Sequence, residues 1–477
     1  MSDEKVGFKK VLNWSEVLAL AFSAMIGWGW VVLSGDWIGK GGTMGAILGF
    51  VIGGVLVVFV GLTYAELTVA MPKCGGELVF SMRAIGKSGS FICTWMIILG
   101  YVGVVAFEAC AFPTVLQYII PGFMDGETLY TIAGWEVKAV WVAAGVGLSI
   151  VITIVNFIGI KPAAILNTVL TVVIAAVGIA LVAGSAVNGD MQTAEPFFNI
   201  SSGSALKGVF AVAVMTPFMF VGFDVLPQAA EEINIQVKKV GGILILSIIM
   251  AVVFYTAIIF AVSRVMTLAE LEASSLATAD AMAKAFRMDA MAKVLIIGGL
   301  SGIVTSWNAF FVGGSRAIYA MAEGKMLPNF LGKLHPKFKT PGAAVILIGV
   351  ISCIAPFFGR RMMVWLTDAG GFAVVIAYLL VSLSFLILRK NEPDMDRPYK
   401  VRGGPVVGTI AVALAIAMGV LYIIPTFGSN LIPQEWIIVG IWAVLGIIFG
   451  IYAKVKYGSS FGESANLIQP IKIRTAK

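Results

Sequence analysis

The chain is poor in charge and nearly free of histidine. Of its 477 residues only 12% are Asp, Glu, Lys or Arg, against about 25% in soluble domains. Its single histidine, His335, lies in a polar stretch. That excludes a histidine-based metal centre and a Ser-His-Asp arrangement. The four cysteines, Cys74, Cys93, Cys110 and Cys353, sit in or beside apolar runs without metal-ligand spacing, so they read as small apolar filler. There is no nucleotide-binding loop either. An enzyme is not expected, nor any cofactor beyond a coupling ion. The first apolar stretch has no cleavage pattern behind it, so it reads as a span rather than a signal peptide.

What the chain has in abundance is apolar length. Hydrophobic residues make up 59% of it, and runs such as 243–262 approach the roughly 20 residues that cross a bilayer. Twelve spans are predicted, near 14–35, 43–70, 89–120, 137–159, 162–184, 205–229, 239–266, 292–321, 341–359, 362–388, 404–427 and 434–453. The fold class is therefore an all-α membrane protein, with membrane lipid as its surroundings. Most of the 33 basic residues fall in alternate loops and in the tail after the last span. The positive-inside rule then places both termini in the cytoplasm of a multi-pass protein of the cell (inner) membrane. It also accounts for the net charge of +7 without nucleic acid.

Two spans are interrupted at their midpoints, at Ile26-Gly27-Trp28-Gly29 and at Phe218-Met219-Phe220-Val221-Gly222-Phe223-Asp224. A helix broken in lipid frees backbone groups that cost several kcal/mol each unless something satisfies them. Paired breaks in matching places point to the substrate site of a secondary transporter. They divide the chain into a cytoplasmic segment 1–13, a first repeat 14–184 and a second repeat 205–388. Two added spans over 404–453 and a cytoplasmic tail 454–477 complete it. Five spans per repeat is odd, so the repeats are expected to be inverted. Of the two longer outer loops, 185–204 is polar and 267–291 reads as a short surface helix.

Several stretches together resemble the amino acid–polyamine–organocation (APC) superfamily of permeases. They are Gly27-Trp28-Gly29, Tyr64-Ala65-Glu66-Leu67, Pro72-Lys73-Cys74-Gly75-Gly76, Arg83-Ala84-Ile85-Gly86, Ala230-Glu231-Glu232-Ile233-Asn234, Ser315 to Gly324 and Arg397-Pro398-Tyr399-Lys400-Val401. The resemblance implies a LeuT-type 5+5 inverted repeat with discontinuous helices 1 and 6, alternating access, and small amino acids or organic amines as substrates. It implies that N–H groups around Ile26, Gly27, Trp28 and Gly29 hold a substrate carboxylate. Carbonyls near Phe220, Val221 and Gly222 would take the ammonium, and Phe218 would stand as an aromatic gate. It also implies a Na+ cage from carbonyls of Ser23, Ile26 and Gly302 with the hydroxyls of Thr305 and Ser306. Otherwise those hydroxyls bond their own helix. The chain departs from the pattern in carrying Trp28 and Trp30 at the first break. Ile174 stands where many relatives have a lysine on span 5.

Two acids stand out. Glu108 lies deep in an apolar span, which makes it a functional-site candidate, or else a carboxyl bonded to neighbouring backbone. Asp224 follows the second break, where it could cap freed N–H groups, bind a cation or shuttle protons. Glu66, Glu231, Glu232 and Arg316 are expected at span ends as solvated or salt-bridged gate groups. The function expected is cation- or proton-coupled import of small amino acids or amines. The alternative is an exchanger, and less so a non-transporting sensor, since the tails look too short for a signalling domain.

Overall fold

In a computed structural model the protein is all-helical apart from one hairpin; residues 8–200, 203–425 and 430–463 are described. The predicted tail beyond residue 463, with Lys472, Arg474 and Lys477, lies outside them, as do residues 1–7 with Lys5. Eleven helical segments among the described residues are long and apolar enough to cross a membrane. Span 1 is Trp14–Met25 continued by Gly29–Val32, span 2 lies in Ser34–Ala70 and span 3 in Glu77–Ile119. Span 4 is Ala139–Ile158 and span 5 Ile160–Asn188. Span 6 comprises Ala205–Ala213, Thr216–Phe220 and Val225–Gln228, and span 7 is Val237–Ser263. Span 8 is Ala290–Glu323, span 10 Arg361–Asn391, span 11 Gly404–Ile423 and span 12 Pro433–Tyr457. The predicted span over 341–359 is a shorter helix, Gly342–Ile354, extended by the 3-10 turn Ala355–Phe358.

The helices of spans 2 and 3 begin earlier than predicted, but each is kinked near the predicted start. Gly42 (φ 74°) and Gly86 (φ 75°) adopt the left-handed conformation open to glycine. The hairpin was not anticipated, whereas helix in 267–291 was. Strands β1 (Thr128–Ile132) and β2 (Trp135–Lys138) pair between spans 3 and 4. The 267–291 loop forms two short helices, α1 (Leu268–Ala273) and α2 (Ala277–Phe286). Helix α1 starts with a capping box in which Thr267 and Glu270 exchange hydrogen bonds. The Lys284 ammonium beside Glu270, with the Thr267 N–H, holds that carboxyl down to about 2. A depressed carboxyl lends stability above its unfolded range and loses it as pH falls toward 2, so this cap weakens only in strong acid.

The end of the bundle bearing the N-terminal segment is closed by buried ion pairs. Arg316 grips Glu232 through both carboxylate oxygens, at 2.8 and 3.2 Å, with the Phe8 ring beneath the guanidinium. Lys161 binds Glu16 at 2.6 Å, and the backbone of Val11 and Leu12 pairs with Glu232 and Asn234. Glu66 accepts from Arg389 and from the Val401 N–H, with Arg397 at 3.0 Å. Glu66, Glu232 and Arg316 are thus buried and paired rather than solvated. Removing one partner of a buried pair costs about 3–5 kcal/mol. Glu66→Gln is therefore expected to lower the melting temperature of the purified protein clearly. A melting temperature equal to wild type contradicts this reading.

Candidate functional site

Span 1 stops at Met25 because the next residues leave helical geometry, Ile26 with φ −112° and ψ 73°. The helix restarts at Gly29. Span 6 stops at Phe220, where Val221 is extended, and Gly222 follows with φ 138°. A Cβ on Gly222 would meet the Ala24 carbonyl carbon and the Met25 nitrogen at 2.8 Å. The two breaks therefore touch backbone to backbone, and only glycine permits that approach.

The freed groups are met by three buried side chains. Tyr255 Oη, from span 7, donates to the Met25 carbonyl at 2.6 Å and lies 3.4 Å from that of Met219. Glu108 Oε1, from span 3, accepts from the Trp28 N–H at 3.3 Å. Asp224 Oδ1 accepts from the Gly222 N–H at 2.7 Å. Glu108 Oε1 lies directly over Gly27, with Ser306 Oγ beside it. Its other oxygen has no hydrogen-bond partner. The donor expected to hold a substrate carboxylate is thus engaged by the protein's own carboxyl group.

The breaks enclose a cavity of about 20 Å³, space for a water molecule and too little for an amino acid. Gly27, Gly29, Glu108 and Phe218 of the expected substrate site line it, whereas Ile26 and Trp28 do not; Ser306, expected in the cation cage, lines it too, with Phe107, Met219, Tyr255 and Phe310, which the sequence reading did not single out. Phe218 lies between Phe107 on span 3 and Gly370 on span 10. Met219 Sδ covers Gly29. Phe220, Val221, Gly222 and Asp224 do not line the cavity. Phe220 packs on Phe50 and Tyr255, and Asp224 turns back onto the break. The Trp28 ring lies against Gly299 of span 8, and Trp30 stacks edge-on with Phe254 of span 7. The Trp30 carbonyl accepts from Thr278 of α2 at 2.8 Å, so the outer loop caps the second half of span 1. Met219 and Tyr255 carry no charge or motif; the only signal for them was position, one inside a break and one on an apolar helix.

Of the five residues of the expected cation cage, Ile26 and Gly302 are brought together from two spans. The Ile26 and Gly27 carbonyls face Gly302, close enough that a Cβ there would meet them at 2.9 and 2.7 Å. Ser23 Oγ is fully buried without a partner, whereas Thr305 Oγ1 donates to the Gly302 carbonyl at 3.1 Å. This oxygen-only set suits a hard monovalent cation. Among the described residues no cluster of His, Cys, Asp or Glu could hold a transition metal. Gly299, Gly302, Gly313 and Gly314 let span 8 approach its neighbours closely, as expected. Because Gly222 meets span-1 backbone, Gly222→Ala is expected to abolish transport while leaving membrane insertion intact. Wild-type uptake by that variant contradicts the close approach.

Residues 12–449 match the amino acid permease family. Over 460 residues, 95% of both chains, the protein is 25% identical to the branched-chain amino acid permease BcaP of Bacillus subtilis (strain 168). It is 25% identical to the methylthioribose transporter of the same organism, covering 93% of this chain and 94% of the relative. With the serine/threonine exchanger SteT, also from that organism, it shares 25% identity over 87% of this chain and 91% of the relative. A multi-span helical bundle and a family match over nearly the whole length agree: the chain belongs to the amino acid permease family of the APC superfamily.

Proposed function

We propose that this protein imports small amino acids by alternating access, with the substrate bound between the breaks of spans 1 and 6. The observation that carries the reading is the cavity itself. It lies where two broken helices touch, and it is lined by exposed backbone at Gly27 and Gly29, by the Glu108 carboxyl and by the Phe218 ring. The twelve spans are read as two inverted five-span repeats plus spans 11 and 12. Both termini then lie in the cytoplasm of the cell (inner) membrane. The Arg316–Glu232 pair closes the cytoplasmic side in this conformation. A substrate enlarges the cavity by displacing Met219, whose unbranched side chain rearranges readily, and by swinging Phe218 from between spans 3 and 10. Its carboxylate replaces Glu108 at the Trp28 N–H. Import is driven by a Na+ or H+ gradient. Na+ would sit in the cage of Ser23, Ile26, Gly302, Thr305 and Ser306, and the approach of the Ile26 carbonyl to Gly302 supports that placement. Exchange of one substrate for another is the alternative cycle, and one relative carries the name of an exchanger.

One observation favours a second substrate class. Glu108 Oε1 already accepts from the Trp28 N–H, so the break is neutralised without a substrate carboxylate. In that case Glu108 stays in place and its free oxygen takes an ammonium, and the substrate is an organic amine. Uptake into proteoliposomes of labelled leucine, serine, ethanolamine and putrescine separates the two. The amino acid reading expects accumulation of leucine or serine; accumulation of the amines alone overturns it.

Two variants sharpen the assignment. Glu108→Gln keeps an acceptor for the Trp28 N–H and removes the charge. For an amine substrate, losing a buried charge partner costs about 2–5 kcal/mol, which is roughly 30-fold or more in KM. For an amino acid that displaces Glu108, the change is expected to stay below about tenfold. Ser306→Ala is expected to remove any dependence of uptake on Na+. Sodium-driven uptake that survives Ser306→Ala rules the cage out.

A further inference from the structure

A second buried acidic cluster lies between the break in span 6 and the end closed by Arg316, and the transport reading above assigns it no part. Glu77, in the first turn of the span-3 helix, is fully buried. One of its oxygens accepts from the Gln228 side-chain amide; the other has no partner. Gln228 lies one helical turn beyond Asp224, which is also fully buried and has Oδ2 without a partner. Gln228 and Asp224 belong to the same short helical turn, so the Gln228–Glu77 contact brings the two carboxyl groups into one buried cluster.

The surroundings contain no compensating positive charge. Tyr64 of span 2, Cys93 and Tyr101 of span 3 and Tyr378 of span 10 are the titratable groups that act on the pair. All four are fully buried. The Tyr64 and Tyr378 hydroxyls also lack partners. Their rings meet edge-on at 5.8 Å, and both touch Phe223 within the break. From span 8, Gly313 lies against Tyr101 and Val225, and the Phe310 ring packs on Tyr101. Neither carboxyl forms an ion pair with any described Lys, Arg or His. Two like charges cannot both persist at close range without water or a counter-ion.

We propose that Glu77 and Asp224 form a proton-binding pair in which Glu77 carries the proton and the state of the pair sets whether the span-6 break is closed. Asp224 is the fixed member. Its Oδ1 accepts from the Gly222 N–H, an interaction that favours the ionised form. Glu77 accepts its one hydrogen bond from the Gln228 side-chain amide, which can rotate away, whereas Asp224 is held by backbone; the proton is therefore assigned to Glu77. When Glu77 gives up its proton, the two charges repel, water enters, and the segment from Pro217 to Gln228 loosens from span 3. Protonation restores the packed state. This inference deepens the import reading by naming the proton as the coupling ion and placing it outside the Ser23–Ser306 cage.

The test does not require a substrate. Infrared spectra of the full chain in lipid, recorded while pH is raised, report the carbonyl stretch of protonated carboxyl groups. The proposal expects a component that disappears as pH rises and is missing in Glu77→Gln. In Asp224→Asn the neighbouring charge is gone, so the same component must titrate at a more acidic pH. Hydrogen exchange of peptides covering 217–228 supplies the conformational readout. At alkaline pH they are expected to exchange faster in wild type than in Glu77→Gln, which stays neutral. An infrared component unchanged in both variants overturns the proton site. Equal exchange in wild type and Glu77→Gln at alkaline pH overturns its link to the break. A titration that moves with Na+ at constant ionic strength would mean a metal cation occupies the pair, and overturns it as well. Because no arm involves transport, failure of the amino acid reading leaves these outcomes legible.

Discussion

Everything at the centre of this molecule depends on satisfying backbone groups that two broken helices leave bare at membrane depth. Each such group costs several kcal/mol if left alone in hydrocarbon. The protein meets them with side chains from other spans: Tyr255 at the Met25 carbonyl, Glu108 at the Trp28 N–H and Asp224 at the Gly222 N–H. Each of these hydrogen bonds can be exchanged for one to a ligand or to water without rebuilding a helix. A continuous helix offers no such groups. The breaks are therefore both the weak points of the bundle and places where a polar solute could be bound in place of the protein's own groups.

The distribution of charge follows the same logic. At the end bearing the N-terminal segment, acids are matched by bases: Glu232 by Arg316, Glu16 by Lys161, and Glu66 by Arg389 and Arg397. These pairs are strong in one geometry and costly to open singly, as suits a closure that separates as a unit. Nearer the breaks the pattern reverses. Glu77, Glu108 and Asp224 are buried with hydroxyl, amide and backbone partners and no base. Unmatched acids of this kind respond to whatever cation arrives, whether a proton, a metal ion or a substrate ammonium.

Much of this was legible in the sequence because membrane helices announce themselves by length and apolarity. The spans, the two breaks and the approach of Ile26 to Gly302 follow from apolar length, from glycine placement and from the resemblance to a known superfamily. Gly42 and Gly86 mark real kinks close to where spans 2 and 3 are predicted to begin. The side chains that finish the site were harder to see. Tyr255 and Met219 look like any other apolar residues of their spans, and only tertiary packing turns them toward the breaks. Glu77 was hidden because an acid beside a span end normally reads as solvated; here the chain folds it beneath Gln228 and Tyr64. Helix in 267–291 was expected, but nothing in its sequence marks the contact by which Thr278 of α2 caps Trp30.

The central claim is that substrate binds between the two breaks, and ligand-induced stabilisation tests it most directly. A ligand at 100 times its dissociation constant stabilises the folded state by about 2.7 kcal/mol, which a thermal melt of the purified protein resolves. The account predicts that an α-amino acid raises the melting temperature of the wild type. It also predicts no shift in Gly29→Val, whose side chain would fill the space Met219 now approaches. An equal shift in both proteins would place the ligand elsewhere and contradict the account.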